Sequence, residues 1–168
     1  ALSTRGPKIA VADVNGDGLD DFYACGAKYQ PGTLMIQQGN GSFLAADTAV
    51  FGSDAVCEDV DAVFFDANGD GSTDLYVVSG GNEPRANALS QEDRLYLNDG
   101  KGKFSKSAAA FTQRYENKSC VNVADIDKDG DTDIFVGNLA SSTAYGIPQT
   151  SYLMLNDGKG KFNYAGDN

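Results

Sequence analysis

An all-β fold of three like units, each of four short strands, is predicted by two markers that recur in step along the 168 residues. The first is an aspartate-rich loop set between apolar runs: Asp13-Val14-Asn15-Gly16-Asp17-Gly18-Leu19-Asp20-Asp21, Asp66 to Asp74 and Asp125 to Asp133. The second is a glycine-rich turn with apolar flanks, at Leu34 to Phe43, Leu95 to Phe104 and Leu153 to Phe162. Both return at intervals of about 53–61 residues, so they belong to one repeating unit.

Each element of the unit follows from local chemistry. Before the acidic loops stand Lys8 to Ala12, Asp61 to Phe65 and Cys120 to Ala124; these β-branched and aromatic runs predict a first strand, a. After the loops, Asp21 to Cys25, Asp74 to Val78 and Asp133 to Val136 predict strand b, each stopped by a glycine at or soon after its end. The glycine-rich turns join strands c and d as a hairpin. Four strands per unit at this spacing indicate propeller blades, here at about residues 6–44, 58–105 and 119–164 of a single repeat domain covering 1–168. Propellers close with four to eight blades, so three make an incomplete propeller unless the chain is part of a longer protein or an oligomer supplies the rest.

The loops carry the chemistry. Oxygen-bearing side chains at positions 1, 3, 5 and 9 can converge on one hard cation, and glycine at position 6 permits the reversal that brings them together. Position 7 is Leu19, Ser72 or Asp131, which share no side-chain chemistry; a backbone carbonyl ligand explains that freedom. The expected ligands are Asp13, Asn15, Asp17, Leu19 and Asp21; Asp66, Asn68, Asp70, Ser72 and Asp74; and Asp125, Asp127, Asp129, Asp131 and Asp133. An EF-hand would place glutamate at position 12, where this chain has Ala24, Val77 and Val136, and would lie between helices. Up to three Ca²⁺ ions are therefore expected. The third site, with four carboxylates where the others substitute asparagine for one, should be the tightest, and Mg²⁺ fits less well because it retains several waters.

The loop D-x-[DN]-x-D-G-x-x-D with its following strand and the later L-x-L-N-D-G-x-G-x-F hairpin resemble the FG-GAP/VCBS-type repeat of integrin α-chain propellers and of many bacterial extracellular proteins. Ser79-Gly80-Gly81-Asn82-Glu83 leading into the second hairpin resembles the bacterial branch in particular. The resemblance covers nearly the whole chain and implies an integrin α N-terminal-like propeller that binds calcium through the loops named above. It also implies an extracellular, periplasmic or cell-surface setting, with any export leader lying outside this sequence. One departure is visible: the first hairpin has Gln37-Gln38 where the others have Asn-Asp, so its turn chemistry should differ.

Composition narrows the function. A net charge of −11 and a pI near 4.2 oppose nucleic-acid binding, since a phosphate backbone would be repelled. No apolar stretch approaches the length needed to span a bilayer as a helix. The chain has no histidine, which removes Ser-His-Asp and Cys-His nucleophile systems; no enzyme activity is expected. Glu58, Asp61, Glu83, Glu92, Asp93 and Glu116, outside the loops, read as solvated charge. Cys25, Cys57 and Cys120 fall at non-equivalent positions and read as small buried apolar residues, a Cys57–Cys120 bridge being the alternative.

With strand direction alternating, the a–b loops and c–d hairpins share one face of the unit, and the b–c and d–a connections share the other. Recognition is expected on the second face, whose longer segments (residues 44–60, 80–93, 105–119 and 138–151) carry Glu83, Arg85, Arg114, Tyr115 and Tyr145. The leading expectation is a calcium-stiffened interaction module that binds a protein or cell-surface ligand. The second is a carbohydrate-binding, lectin-like propeller or one of polysaccharide-lyase type. Further blades from the same longer chain or a homo-oligomer complete the list of expected partners.

Overall fold

A computed structural model describes residues 7–46, 49–81, 88–141 and 146–166. Strands β1 (Ile9–Ala12), β2 (Asp21–Ala24), β3 (Thr33–Gln37) and β4 (Phe43–Ala45) form one sheet in chain order. β5 (Asp59–Phe65), β6 (Asp74–Ser79), β7 (Arg94–Asn98) and β8 (Phe104–Lys106) form a second; β9 (Lys118–Ala124), β10 (Asp133–Asn138), β11 (Tyr152–Asn156) and β12 (Phe162–Tyr164) form a third. Every pairing is antiparallel. β1 lies beside β5 and β5 beside β9, so the first strand of each sheet is innermost and the sheets stack as propeller blades.

The side-chain alternation of each strand divides its residues between two neighbours. Ala10, Tyr23 and Leu34 of the first blade meet Leu75, Val77, Tyr96 and Phe104 of the second in one core. Tyr76, Val78 and Leu95, on the opposite face of the second blade, meet Val121, Ile134, Val136, Met154 and Phe162 of the third in another. Because the second blade is covered on both faces, β6 is buried at every position.

The d–a connections wedge these layers together. A single helical turn, α1 (Ala49–Gly52), inserts Phe51 between blades one and two, its ring centroid 5.3 Å from Tyr23 and 4.9 Å from Tyr96. Asp54, just beyond, accepts from the Tyr96 hydroxyl at 2.7 Å and pairs with Lys106 at 2.6 Å. The segment between the first two blades, expected to contribute to recognition, thus also packs the blades together through Phe51 and Asp54. Phe111, in the next connection, meets Tyr76 at 5.5 Å. The first two interblade connections therefore use aromatic rings in the same way.

Buried charge correlates with the interfaces and corrects the sequence reading of Asp93 as solvated. Asp93 is buried and accepts from Tyr76 Oη of its own blade and Tyr152 Oη of the next, both at 3.2 Å, while Lys118 Nζ of the third blade lies 3.2 Å away. Asp59 plays the corresponding part between blades one and two: it accepts from Tyr23 Oη at 3.0 Å and Gly26 N–H at 2.9 Å and pairs with Arg94. Burial raises the Asp93 carboxyl and lowers the Lys118 ammonium, each opposing the attraction between them. Cys25, Cys57 and Cys120 are free thiols, so Cys57 and Cys120 are not bridged; burial pushes the Cys25 thiol up to about 12. No helix among the described residues is long and apolar enough to cross a membrane.

Lys118→Met removes one partner of a buried pair and should cost about 3–5 kcal/mol in urea unfolding at pH 7. The loss should shrink as pH falls, because an unpaired, buried Asp93 takes up a proton more readily folded than unfolded. A cost that does not vary with pH would assign the effect to lost packing instead.

Candidate metal centre

Each acidic loop starts where its inner strand ends, and in the first two loops the first aspartate organises the turn. Asp13 Oδ1 accepts from the N–H groups of Gly16 at 2.8 Å and Asp17 at 3.2 Å, and its Oδ2 from Gly18 at 2.8 Å. Asp66 repeats this with Gly69, Asp70 and Gly71 at 2.8, 3.2 and 2.9 Å. The Gly18 N–H is the main reason that the Asp13 carboxyl lies below its usual range. Positions 4 and 6 need left-handed backbone, with φ of 77° and 81° at Gly16 and Gly18, which explains the glycines. In the third loop position 4 is Lys128 at φ 64°, an uncommon conformation for a residue with a side chain.

Position 5 closes the turn. Asp17, Asp70 and Asp129 each accept the N–H of the residue two places on, Leu19, Ser72 and Asp131, at 2.9, 2.7 and 3.0 Å. The N–H of position 7 is therefore used identically in all three loops although its side chain differs. At position 3, Asn15 and Asn68 turn their amide nitrogens to Asp17 and Asp70 at 3.1 and 2.9 Å.

Position 9 fixes the loop to the sheet. Asp21, Asp74 and Asp133 are fully buried. One oxygen of each accepts the N–H of loop position 2 (Val14, Ala67 and Ile126, at 3.1, 3.0 and 2.8 Å). The other accepts a strand-c N–H (Gln37, Asn98 and Asn156, at 2.8, 2.8 and 2.9 Å). A carboxylate oxygen keeps further lone pairs after one such bond, so this clamp is compatible with cation binding.

Among the described residues, the third loop brings carboxylate oxygens of Asp125, Asp127 and Asp133 within 4.8 Å of one another. Asp129 and Asp131 lie outside that cluster of three. Desolvation first, and then the charges of Asp129 and Asp133, raises the Asp127 carboxyl. In the first two loops an asparagine replaces the middle carboxylate of that trio. The donor set is all oxygen, with no imidazole or thiol in any loop, which suits a hard cation such as Ca²⁺ and not a soft transition metal.

Sequence reasoning did not identify the role of the hairpin asparagines. Asn98 Nδ2 donates to Thr73 O of its own loop at 3.0 Å and to Val14 O of the preceding blade's loop at 2.8 Å. Asn156 does the same toward Thr132 O at 3.1 Å and Ala67 O at 2.9 Å. Their recurrence in the hairpin motif was the available signal. The Gln37-Gln38 hairpin does close differently: Asn40 Oδ1 accepts from Ser42 N–H at 2.9 Å, whereas in the other blades the equivalent Lys103 and Lys161 N–H groups donate to Asp99 and Asp157 at 3.2 and 3.1 Å.

These contacts place the a–b loops and c–d hairpins on one face. On the opposite face Tyr115 is exposed, and the Arg114 guanidinium lies 4.0 Å from the Tyr164 ring centroid and 5.2 Å from that of Tyr152. Glu83, Arg85 and Tyr145 lie outside the described residues.

The FG-GAP-like repeat model matches residues 13–77 and again 66–136, each match running from one acidic loop into the strand after the next. No curated protein matches the chain. Among solved structures, a lectin of Agrocybe aegerita, described as specifically recognising non-reducing terminal N-acetylglucosamine, shares the fold with a TM-score of 0.54 and 22% identity. The similarity covers 91% of this chain and 36% of the lectin chain, so the present chain spans little more than a third of that protein.

Burial of Asp74 has a measurable consequence. Desolvation raises its carboxyl to about 6, above the 3.8 of an unperturbed aspartate, so the folded state binds this proton more tightly than the unfolded state does. In chelator, this residue should make stability fall as pH rises from about 4 to 6, and a carboxyl carbon titration by NMR should give a midpoint near 6. A midpoint below 4 would show that its two backbone donors outweigh desolvation.

Proposed function

The chain belongs to the FG-GAP-like repeat family, and on that premise we propose that it is a calcium-stabilised propeller segment of an extracellular interaction module. The observation that carries the metal reading is the convergence of Asp125, Asp127 and Asp133 within 4.8 Å at the end of a strand. Carboxylates held this close repel one another, and a divalent cation converts that repulsion into attraction. Three bound ions would also reduce the net charge from −11 to about −5.

Calcium has a structural role in this reading. The ninth aspartate of each loop reaches its own strand c, and the hairpin asparagines of blades two and three reach the preceding loop; order in a loop therefore stiffens two blades. Ligand recognition falls to the opposite face, where connections are longer and are not committed to the loops. The ligand is a protein or a cell-surface group. A glycan is the second reading, favoured by the fold shared with a lectin over most of this chain. We assign no catalytic role.

Thermal melting in calcium and in chelator tests the proposal. At calcium about 100-fold above a site's dissociation constant, linkage supplies about 2.7 kcal/mol per site, or roughly 5–10 °C for a chain of this size. Equal melting temperatures would remove the metal from the proposal. In calorimetric titration of single-loop variants, Asp127→Asn should weaken the tightest site; if the third loop ranks weakest, charge count does not set the order. Retention on an array of N-acetylglucosamine-terminated glycans would favour the lectin-like reading.

A further inference from the structure

The two interblade connections meet the outermost strand of the following blade in different ways. In each of those blades the sequence Lys-Gly-Lys-Phe enters the outer strand, setting Phe104 opposite Asn98 and Phe162 opposite Asn156. Ladder bonds flank each phenylalanine, from Asp99 N–H to Lys103 O and Ser107 N–H to Leu95 O, and likewise from Asp157 to Lys161 O and Ala165 to Leu153 O. Phe104 N–H and Phe162 N–H therefore point out of the sheet, toward the connection. Phe162 N–H donates to Ala110 O at 2.7 Å. Phe104 N–H has no such acceptor among the described residues.

The helical turn accounts for the difference. Phe51 packs on Tyr23 as Phe111 packs on Tyr76, so Val50 precedes its ring as Ala110 precedes Phe111. The Val50 carbonyl, however, is turned along α1 and accepts the Ser53 hydroxyl at 2.9 Å. Beside the unanswered N–H lies a cleft of about 540 Å³ lined by Leu34, Val50, Phe51 and Phe104, with the exposed Lys101 and Lys103 completing its wall. Neither ammonium forms an ion pair with a described residue. The carboxylate that faces both lysines, Asp99, is engaged by their backbone N–H groups at 2.9 and 3.2 Å.

We propose that this cleft binds a small carboxylic acid with an apolar body. One carboxylate oxygen accepts Phe104 N–H, in the place that Ala110 O takes at the second interface; the two lysines balance the charge, and the apolar body covers Leu34, Val50 and Phe51. Both walls are held without help from the ligand. The hairpin is tied to the first loop by Asn98 Nδ2 to Val14 O at 2.8 Å, and α1 by Phe51 and by Asp54, which accepts from Tyr96 Oη at 2.7 Å. A preformed cleft of this size suits a small molecule. An added peptide strand is disfavoured, because β8 offers only three residues of edge and α1 packs against it. The net charge of −11 repels anions at long range, but screening over about 8 Å at physiological salt leaves the local lysines in control. The site uses none of the loop carboxylates, so it is independent of the metal reading.

Phenylbutyrate and phenylbutanol share an apolar body and differ in the carboxylate, and each is titrated into the full chain in calcium while backbone amides are followed by NMR. The acid should shift the Phe104 amide proton downfield in a saturable way and leave Phe162 in place, since Ala110 O already occupies that N–H. Phe162 lies in the same Lys-Gly-Lys-Phe sequence and is the internal control. Lys101→Ala combined with Lys103→Ala, both at exposed positions, should weaken the acid about fivefold, the size expected of two exposed ion pairs, and leave the alcohol unchanged. Equal shifts at Phe104 and Phe162 would reduce the effect to general attraction by lysine hairpins and overturn the proposal. Equal affinity for acid and alcohol, or no saturable shift with the acid, would overturn it as well.

Discussion

The fold depends on one buried carboxylate per blade. Asp21, Asp74 and Asp133 each join the second residue of an acidic loop to the third strand of the same sheet, using both oxygens. Hydrogen bonds to an ionised acceptor are stronger than neutral ones, and here they are withdrawn from water. This clamp determines where the loop leaves the sheet, and so where the remaining oxygen donors lie. The proposed cation site of the third loop and the strand pairing therefore share a side chain, so a change at this aspartate would disturb both.

Blade-to-blade cohesion rests on two kinds of contact that differ in their demands. Apolar layers such as Tyr23, Leu34, Leu75 and Tyr96 are non-directional and tolerate exchange of volume. The polar contacts are directional: Tyr23 to Asp59, Tyr152 to Asp93, Asn98 to Val14 O and Asn156 to Ala67 O. They fix the rotation of one sheet against the next. Buried ionic groups bring little net stability, because desolvation opposes pairing, so their contribution here is to geometry.

Much of the fold is legible in the sequence because its determinants are local. Loop aspartates, turn glycines and alternating apolar runs occur at fixed short offsets, and their recurrence excludes chance. The third loop's trio of Asp125, Asp127 and Asp133 is readable for the same reason. Asp93 is not, since its burial depends on Tyr152 and Lys118 arriving from another blade. The turn at Ala49–Gly52 escapes for a related cause: four residues carry no helical period, and only the slot between Tyr23 and Tyr96 gives Phe51 its place. Asn98 and Asn156 fall between these cases, being visible as a motif but with a purpose apparent only across blades.

Phe51 is held by ring contacts from both sides, and the chain around it needs only to deliver that ring. The connections of this fold can consequently change length and composition without altering the sheets, provided an aromatic plug reaches its slot. New surface features would therefore be expected to arise as insertions beside such plugs, leaving the ladder and its acidic turns unchanged.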